Sequence, residues 1–292
     1  MPGPILIAGP TASGKSALAL EMALRHGGAV INADSMQVYR ELRILTARPT
    51  PEEEAQVPHH LFGHVSVRDA YSVGRWLDDV AGALAWCAGA GRRPIIVGGT
   101  GLYFKALLEG LAPVPPVDPD IRARWRREAG GRSSAELHAL LASRDAEMAA
   151  RLDPGDTQRI VRALEVFDST AVSLATWQRR PGAPLVREAA TERIVIRRAR
   201  AEVRRRVDAR FDLMMAQGAL DEARAMAELD LDPELPAARA HGLRPLLSHL
   251  HGEIDLASAI EAGKLETRQY VKRQEIWMRR NMIAWNSYNS DD

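Results

Sequence analysis

Gly9-Pro-Thr-Ala-Ser-Gly-Lys-Ser16 decides the fold. It fits the phosphate-binding loop G-x-x-x-x-G-K-[ST] at every fixed position. Its flanks fit as well: an apolar run, Ile5 to Ala8, precedes it, and a helix-like stretch begins at Ala17. In such a loop successive backbone N–H groups point at phosphate oxygens. The lysine adds a point charge, the Ser/Thr hydroxyl ligates Mg²⁺, and the following helix presents its positive end. Gly9, Pro10, Thr11, Ala12, Ser13, Gly14, Lys15 and Ser16 are therefore expected to hold a di- or triphosphate, with Ser16 as the Mg²⁺ ligand. The loop does not say what is done to that phosphate.

Outward from the loop, strands and helices alternate. Pro4 to Ala8 reads as a buried parallel strand and Ser16 to Arg25 as the helix after it. Ala29 to Ala33 reads as a second strand ending at Asp34. A helix follows over Ser72 to Ala90, with Ser72 as its N-cap. A third strand, Pro94 to Val97, runs into Gly98-Gly-Thr-Gly101 and a helix from Leu102 to Glu109. This alternation predicts an α/β fold, a phosphate-loop NTPase-like doubly wound parallel sheet, whose ligands sit beyond the carboxyl ends of the strands. The character changes at Pro113-Val-Pro-Pro-Val-Asp-Pro119, a stiff linker. From Asp118 to Arg180 the pattern is helical, broken at Asp153 to Asp156 and at Arg180 to Gly182. The expected organisation is a core of residues 1–113 plus 190–292 with an all-helical insertion over 114–189. Glu192 to Arg197 returns to the sheet, Ala201 to Gln217 and Leu256 to Arg280 are long helices, and Met282 to Trp285 is expected as an edge strand.

Composition narrows the partners. The net charge is +1, but only Lys15, Lys105, Lys264 and Lys272 are lysines among 39 basic residues; the rest are arginines. They cluster at Arg122 to Arg127, Arg197 to Arg210 and Lys272 to Arg280, while acids gather elsewhere, as at Glu52 to Glu54. Local basic patches of arginine suit phosphate and stacked bases, although a helical charge run is also simply a solvated face. The one cysteine, Cys87, excludes internal disulfides, is expected as a packed apolar residue, and suits a reducing, cytoplasmic setting. No apolar run is long enough to span a membrane, and the N-terminus reads straight into the first strand without a leader. Without cysteine ligands or a His-Glu-x-x-His helix, His59, His60, His64, His241, His249 and His251 are expected in surface or packing roles rather than on zinc.

Three strand ends should converge: the phosphate loop, Asp34-Ser35, and Gly98 to Gly101. A carboxylate at Asp34 can take a proton from a nucleophile, hold Mg²⁺ through water, or only cap an Asx turn. The third strand ends in Gly-Gly-Thr where a phosphate-loop NTPase carries an acid for Mg²⁺. Its glycines allow close backbone approach, and Thr100 offers a hydroxyl to a phosphate or bridging oxygen. This argues against a motor or switch ATPase and for a compact transferase.

At this level of detail the chain resembles the bacterial tRNA dimethylallyltransferase (tRNA isopentenyltransferase) family. The motifs that carry the resemblance span nearly all of it: Gly9 to Ser16, Asp34-Ser-Met-Gln-Val-Tyr39, Val57-Pro-His-His-Leu61, Val97-Gly-Gly-Thr-Gly-Leu-Tyr103, Ala106 to Gly110, Gln158-Arg159 with Arg162 to Glu165, and Thr267-Arg-Gln269 with Lys272-Arg-Gln274. The resemblance implies transfer of a dimethylallyl group from its pyrophosphate to the exocyclic N6 amine of the adenosine 3′ of the anticodon. Asp34 is then the base, and Lys15, Ser16 with Mg²⁺, Thr100 and Arg239 stabilise the departing pyrophosphate. It further implies tRNA contacts by Asp34, Ser35, Met36, Gln37, Thr100, Arg122, Gln158, Arg159, Arg162, Arg239, Arg244, Lys272, Arg273, Gln274 and Arg279. The helical insertion becomes a clamp on the anticodon stem-loop, and the enzyme a monomer. Two segments depart from the family pattern. Leu45 replaces a glycine in Arg43 to Arg48, and Gly242-Leu-Arg-Pro245 stands where the family has Gly-Tyr-Arg-Gln. Three other readings fit parts of the sequence: an adenylate isopentenyltransferase, a phosphate-loop small-molecule kinase, and a non-catalytic RNA-binding protein on this scaffold.

Overall fold

The structure, a computed structural model, describes residues 2–289. In chain order the elements are β1 (Ile5–Ala8), α1 (Lys15–His26), β2 (Gly28–Asn32), α2 (Pro51–Glu54), β3 (His59–His60), α3 (Val73–Gly89), β4 (Arg93–Gly98), α4 (Gly101–Glu109), α5 (Pro119–Gly130), α6 (Ser134–Arg144), α7 (Ala146–Ala149), α8 (Thr157–Thr170), α9 (Leu174–Gln178), β5 (Glu192–Arg197), α10 (Arg200–Ala216), α11 (Ala219–Glu228), α12 (Leu243–Leu250), α13 (Leu256–Asn281) and β6 (Asn286–Asn289). Two 3₁₀ turns lie at Glu188–Ala190 and Pro236–Arg239.

The strands form one six-stranded sheet in the order β3-β2-β4-β1-β5-β6, and every neighbouring pair is parallel. Parallel neighbours need crossovers, and the two faces those crossovers cover explain the unbroken apolar runs at Ile5–Ala8 and Ile95–Val97. The third strand of the sequence reading, β4, sits between β1 and β2. Its placement fastens the strand ends together: Gly9 N–H donates to Gly98 O at 3.3 Å, Ala33 N–H to Val97 O at 2.7 Å, and Thr100 N–H to Ala33 O at 3.2 Å. Glycine is needed there, since a Cβ on Gly98 would meet Ala33 O at 2.0 Å and one on Gly101 would meet the Trp277 ring at 2.1 Å.

The chain divides into two compact units, residues 1–108 with 185–292, and residues 109–184. The boundaries fall about five residues before those read from the prolines. The reason is local: Leu185 and Val186 N–H both donate to Leu107 O, at 3.0 and 3.3 Å, which ties the returning chain to the core unit. The smaller unit holds α5 to α9 and no strand among its described residues. Its core gathers Trp125, Leu137, Leu141, Ile160 and Leu164. Asp168 on α8 accepts from Trp125 Nε1 at 3.0 Å, from Arg144 at 2.7 Å and from Arg124, tying three helices together. Trp125 is 1% exposed, so Trp125→Ala should destabilise the protein by about 4 kcal/mol through the cavity it leaves. Chemical denaturation monitored by far-UV circular dichroism measures it.

The expected edge strand at Met282 to Trp285 is corrected. Those residues form a turn, in which Met282 and Trp285 are buried and Trp285 meets Phe104 edge-on at 5.4 Å; the strand is the polar segment after them, paired with β5. Cys87 is fully buried, and burial pushes its thiol up, in keeping with a packing role. His59 and His60 form the short strand β3, and His60 packs on Trp86 at 4.4 Å. No helix among the described residues is long and apolar enough to cross a membrane.

Candidate active site

The phosphate loop runs from β1 into α1. Gly14 caps α1 in the left-handed region without a side-chain hydrogen bond, and no acid lies in the first turn. The helix's N–H groups and positive end are thus left for an anion. Lys15 is buried, and its ammonium makes a long bond, 3.4 Å, to Pro10 O. Burial holds its pKa down to about 8; Asp34 opposes that and Arg210 adds to it. Ser13 Oγ is buried without a partner, and Ser16 is exposed at the helix start.

Across from the loop, Asp34 ends the β2 segment. Asn32, fully buried, fixes the turn: its Oδ1 accepts from Asp34 N–H at 2.8 Å while its Nδ2 donates to Asp34 O and Leu61 O. One Asp34 carboxylate oxygen accepts from Met36 N–H at 3.0 Å, so the Asx turn is real. The same residue also lines a cavity with Lys15, Arg210, His241 and Tyr270. An Asx turn and a reactive carboxylate are therefore compatible. Thr100 Oγ1 accepts from Ser35 N–H at 3.0 Å and reaches Ser35 Oγ at 3.3 Å, locking the β4 loop to the Asp34 loop.

Arg210 on α10 was not singled out by the sequence reading. Its Nε is buried and unpartnered, and its guanidinium touches Thr46 O only at 3.5 Å. Burial lowers its pKa and Asp34 raises it; an arginine stays charged regardless. Arg210 and Lys15 line both the Asp34 cavity and a recess of about 290 Å³ beside Gly14, Ser16 and Arg206. The two cations are thus shared by the recess at the head of α1 and the smaller cavity, of about 50 Å³, at Asp34. Cations shared in this way suit a bound diphosphate in the recess with a nucleophile close by.

Arg239 does not take the place expected of it beside the phosphate loop. It is exposed on a 3₁₀ turn, paired with Glu234 at 3.0 Å, and lines a separate cleft of about 840 Å³ with Arg244, Arg273 and His241. His241 lines both this cleft and the Asp34 cavity. It packs on Tyr270 at 4.3 Å, and burial, helped by Arg273, lowers its pKa, so it is neutral at pH 7. Burial and Asp34 push the Tyr270 phenol up.

Other expected residues divide between surface and interior. Lys272, Arg273, Arg279 and Arg244 are exposed. Met36 and Ser35 are half-buried, and Met36 lines the Asp34 cavity. Gln37, by contrast, is buried and donates to Thr46 O and Ala47 O, both at 2.9 Å. Gln274 is buried too, with its amide spent inside the core unit. In the smaller unit Arg122, Gln158 and Arg159 are exposed, while Arg162 is half-buried and pairs with Glu165 at 3.3 Å. Of the departing residues, Leu45 and Leu243 enter the main core, Pro245 is buried, and the backbone of residues 43–45 is held by three 2.8 Å bonds to Glu222.

For Mg²⁺ the protein offers the Ser16 hydroxyl. Among the described residues no group of three His, Cys, Asp or Glu can hold a metal. A single hydroxyl fits an ion that draws its remaining ligands from diphosphate oxygens and water, as Mg²⁺ does.

The fold and site define a phosphate-loop protein of the transferase kind, with a recess at the head of α1 lined by Lys15 and Arg210. Comparison with known proteins narrows this. The IPP transferase family model matches residues 37–281 and the isopentenyl transferase model residues 3–60. The tRNA dimethylallyltransferase of Parvibaculum lavamentivorans is 53% identical over 286 residues, covering 98% of this chain and 90% of that one. That of Beijerinckia indica is 55% identical over 285 residues, 97% of this chain and 94% of its own. Among solved structures, the tRNA isopentenylpyrophosphate transferase of Bacillus halodurans superposes with a TM-score of 0.69 at 30% identity, covering 99% of this chain and 90% of that one. A eukaryotic dimethylallyltransferase acting on tRNA gives 0.81 at 27% identity, over 99% of this chain and 73% of that one. The chain belongs to the tRNA dimethylallyltransferase family.

Lys15 provides a direct test of whether that recess takes a diphosphate. Its charged form is populated below about pH 8 and is the form a diphosphate favours, so binding should raise its pKa. At about pH 9, pyrophosphate binding should therefore take up a proton that Lys15→Met does not. Calorimetry in two buffers of different ionisation enthalpy reads the difference; equal uptake by both proteins would remove Lys15 from any diphosphate site.

Proposed function

We propose that the chain transfers a dimethylallyl group from dimethylallyl pyrophosphate to the N6 amine of the adenosine 3′ of the anticodon in tRNA, releasing pyrophosphate. The observation that carries this reading is that Lys15 and Arg210 line both the recess at the head of α1 and the cavity that holds Asp34. The allylic C–O bond breaks and its electron pair leaves with the pyrophosphate. Lys15, Arg210 and the N–H groups at the start of α1 stabilise that charge as it develops. The adenine amine forms the new C–N bond from the Asp34 side. Its lone pair is delocalised into the ring, so removal of its proton assists attack, and the Asp34 oxygen not bound to Met36 accepts that proton. The base leaves its stack to reach the cavity. Mg²⁺ at Ser16, when bound, neutralises part of the diphosphate charge.

The exposed cations Arg244, Lys272, Arg273 and Arg279, with Arg239 in the adjoining cleft, support an RNA face on the core unit. Arg122, Gln158, Arg159 and Arg162 are the proposed contacts of the helical unit, acting as a clamp on the anticodon stem-loop. The reading includes a cytoplasmic monomer. Incubation with labelled dimethylallyl pyrophosphate and either unmodified tRNA, AMP, or ATP with candidate acceptors tests it. Label should enter tRNA. Label in AMP alone would select the adenylate enzyme, and phosphate transfer from ATP the kinase.

A further inference from the structure

Three consecutive residues of the phosphate loop are each held by a side chain from outside it. Thr11 N–H donates to Gln274 Oε1 at 2.9 Å, Arg206 Nε donates to Ala12 O at 2.8 Å, and Arg198 Nε donates to Ser13 O at 2.7 Å. Ala12 lies in the left-handed region, φ 65°, a conformation that a residue with a side chain rarely holds unaided. Gln274 differs from the two arginines because both ends of its amide are used. Its Nε2 donates to Gly99 O at 2.9 Å, so one side chain joins the phosphate loop to the β4 loop that carries Thr100. The fit is close: a Cβ on Gly99 would meet that Nε2 at 2.2 Å. Gln274 is 5% exposed, although its neighbours Lys272 and Arg273 on α13 face solvent.

We propose that Gln274 is a positioning residue for the diphosphate recess and makes no contact with RNA. Its amide pins Thr11 to Gly99, and with Arg198 and Arg206 it holds the loop in its binding shape before the ligand arrives. The N–H groups at the head of α1 then need no reordering when a diphosphate enters. Helix α13 therefore carries two separable functions: exposed cations for RNA, and an inward amide for the phosphate loop. The pin demands a group that accepts at one end and donates at the other. Glutamine does so at any pH, whereas a carboxyl does so only when protonated.

The inference rests on the diphosphate reading, and the experiment separates the two. Inorganic pyrophosphate is titrated calorimetrically into the full chain, and tRNA binding is measured in parallel. Gln274→Met should weaken pyrophosphate binding by about tenfold or more through loss of both bonds, with tRNA affinity within about twofold. Lys272→Ala should show the reverse pattern. Gln274→Glu should be as defective as Gln274→Met at about pH 8 and recover towards wild type, compared at each pH, as the pH falls to about 5 and the introduced carboxyl regains its proton. A purely structural lesion has no reason to heal on acidification. A deficit of Gln274→Glu that stays constant with pH overturns the proposal. So does a Gln274→Met variant that loses tRNA affinity and keeps pyrophosphate affinity. Failure of the wild-type protein to bind pyrophosphate would sink the diphosphate reading itself, and the pin with it.

Discussion

Asp34→Asn is expected to slow dimethylallyl transfer by about 10²- to 10⁴-fold, the usual contribution of a positioned general base. The substitution is nearly isosteric. An asparagine oxygen can still accept from Met36 N–H, so the Asx turn and the cavity wall persist. tRNA and pyrophosphate affinities should stay within a few fold, which separates chemistry from binding. Asp34 lies in a cavity with Lys15, Arg210 and Tyr270, and the carboxylate that would take the amine proton also balances the two cations. A smaller loss of rate in a variant that binds normally would leave Asp34 as a turn residue.

Arg210→Ala should cost about 10²- to 10³-fold in transfer rate, the scale expected for a preorganised donor aimed at developing charge. The buried, unpartnered Nε is the physical reason: a guanidinium desolvated by the fold and not fully bonded within it is available to a ligand. Arg210→Lys should recover only part of the loss, because an ammonium cannot reproduce the planar fork. Arg239→Ala offers the contrast. Arg239 is exposed and paired with Glu234, so its removal should weaken tRNA binding and leave the single-turnover rate at saturation close to wild type. The reverse outcome would return Arg239 to the leaving group and displace Arg210.

The difference between these two arginines shows what the amino-acid sequence can carry. The phosphate loop, Asp34 and Gly98 to Thr100 are readable because each is a contiguous segment at a strand end, where backbone geometry alone decides the function. Arg210 sits in a run of arginines on α10 in which nothing local marks it; α10 buries Val203, Val207 and Phe211 and turns Arg210 inward beside them. The family resemblance places Gln37 and Gln274 towards RNA, yet both point inward and bond backbone groups, because a resemblance assigns whole segments and does not tell an inward side chain from an outward one. Asn32 left a faint signal, an amide within an apolar strand, whose purpose appears only with the Asp34 turn around it. The misplaced edge strand has the opposite cause. Met282 and Trp285 are apolar because they fill the core from a turn, whereas β6 is polar because its backbone bonds to β5 define it while its described side chains are exposed. The helical unit was legible from its prolines and lack of strands, with boundaries shifted by the Leu107 hydrogen bonds.

The central claim is that the group attacking from the Asp34 side is an exocyclic amine of an RNA base. Label transfer from dimethylallyl pyrophosphate to two anticodon stem-loops tests it most directly. One carries adenosine 3′ of the anticodon, and the other carries purine riboside there, which lacks only the amine. Label on the first RNA and none on the second, with both bound equally, is the predicted result. Equal labelling of the two would contradict it.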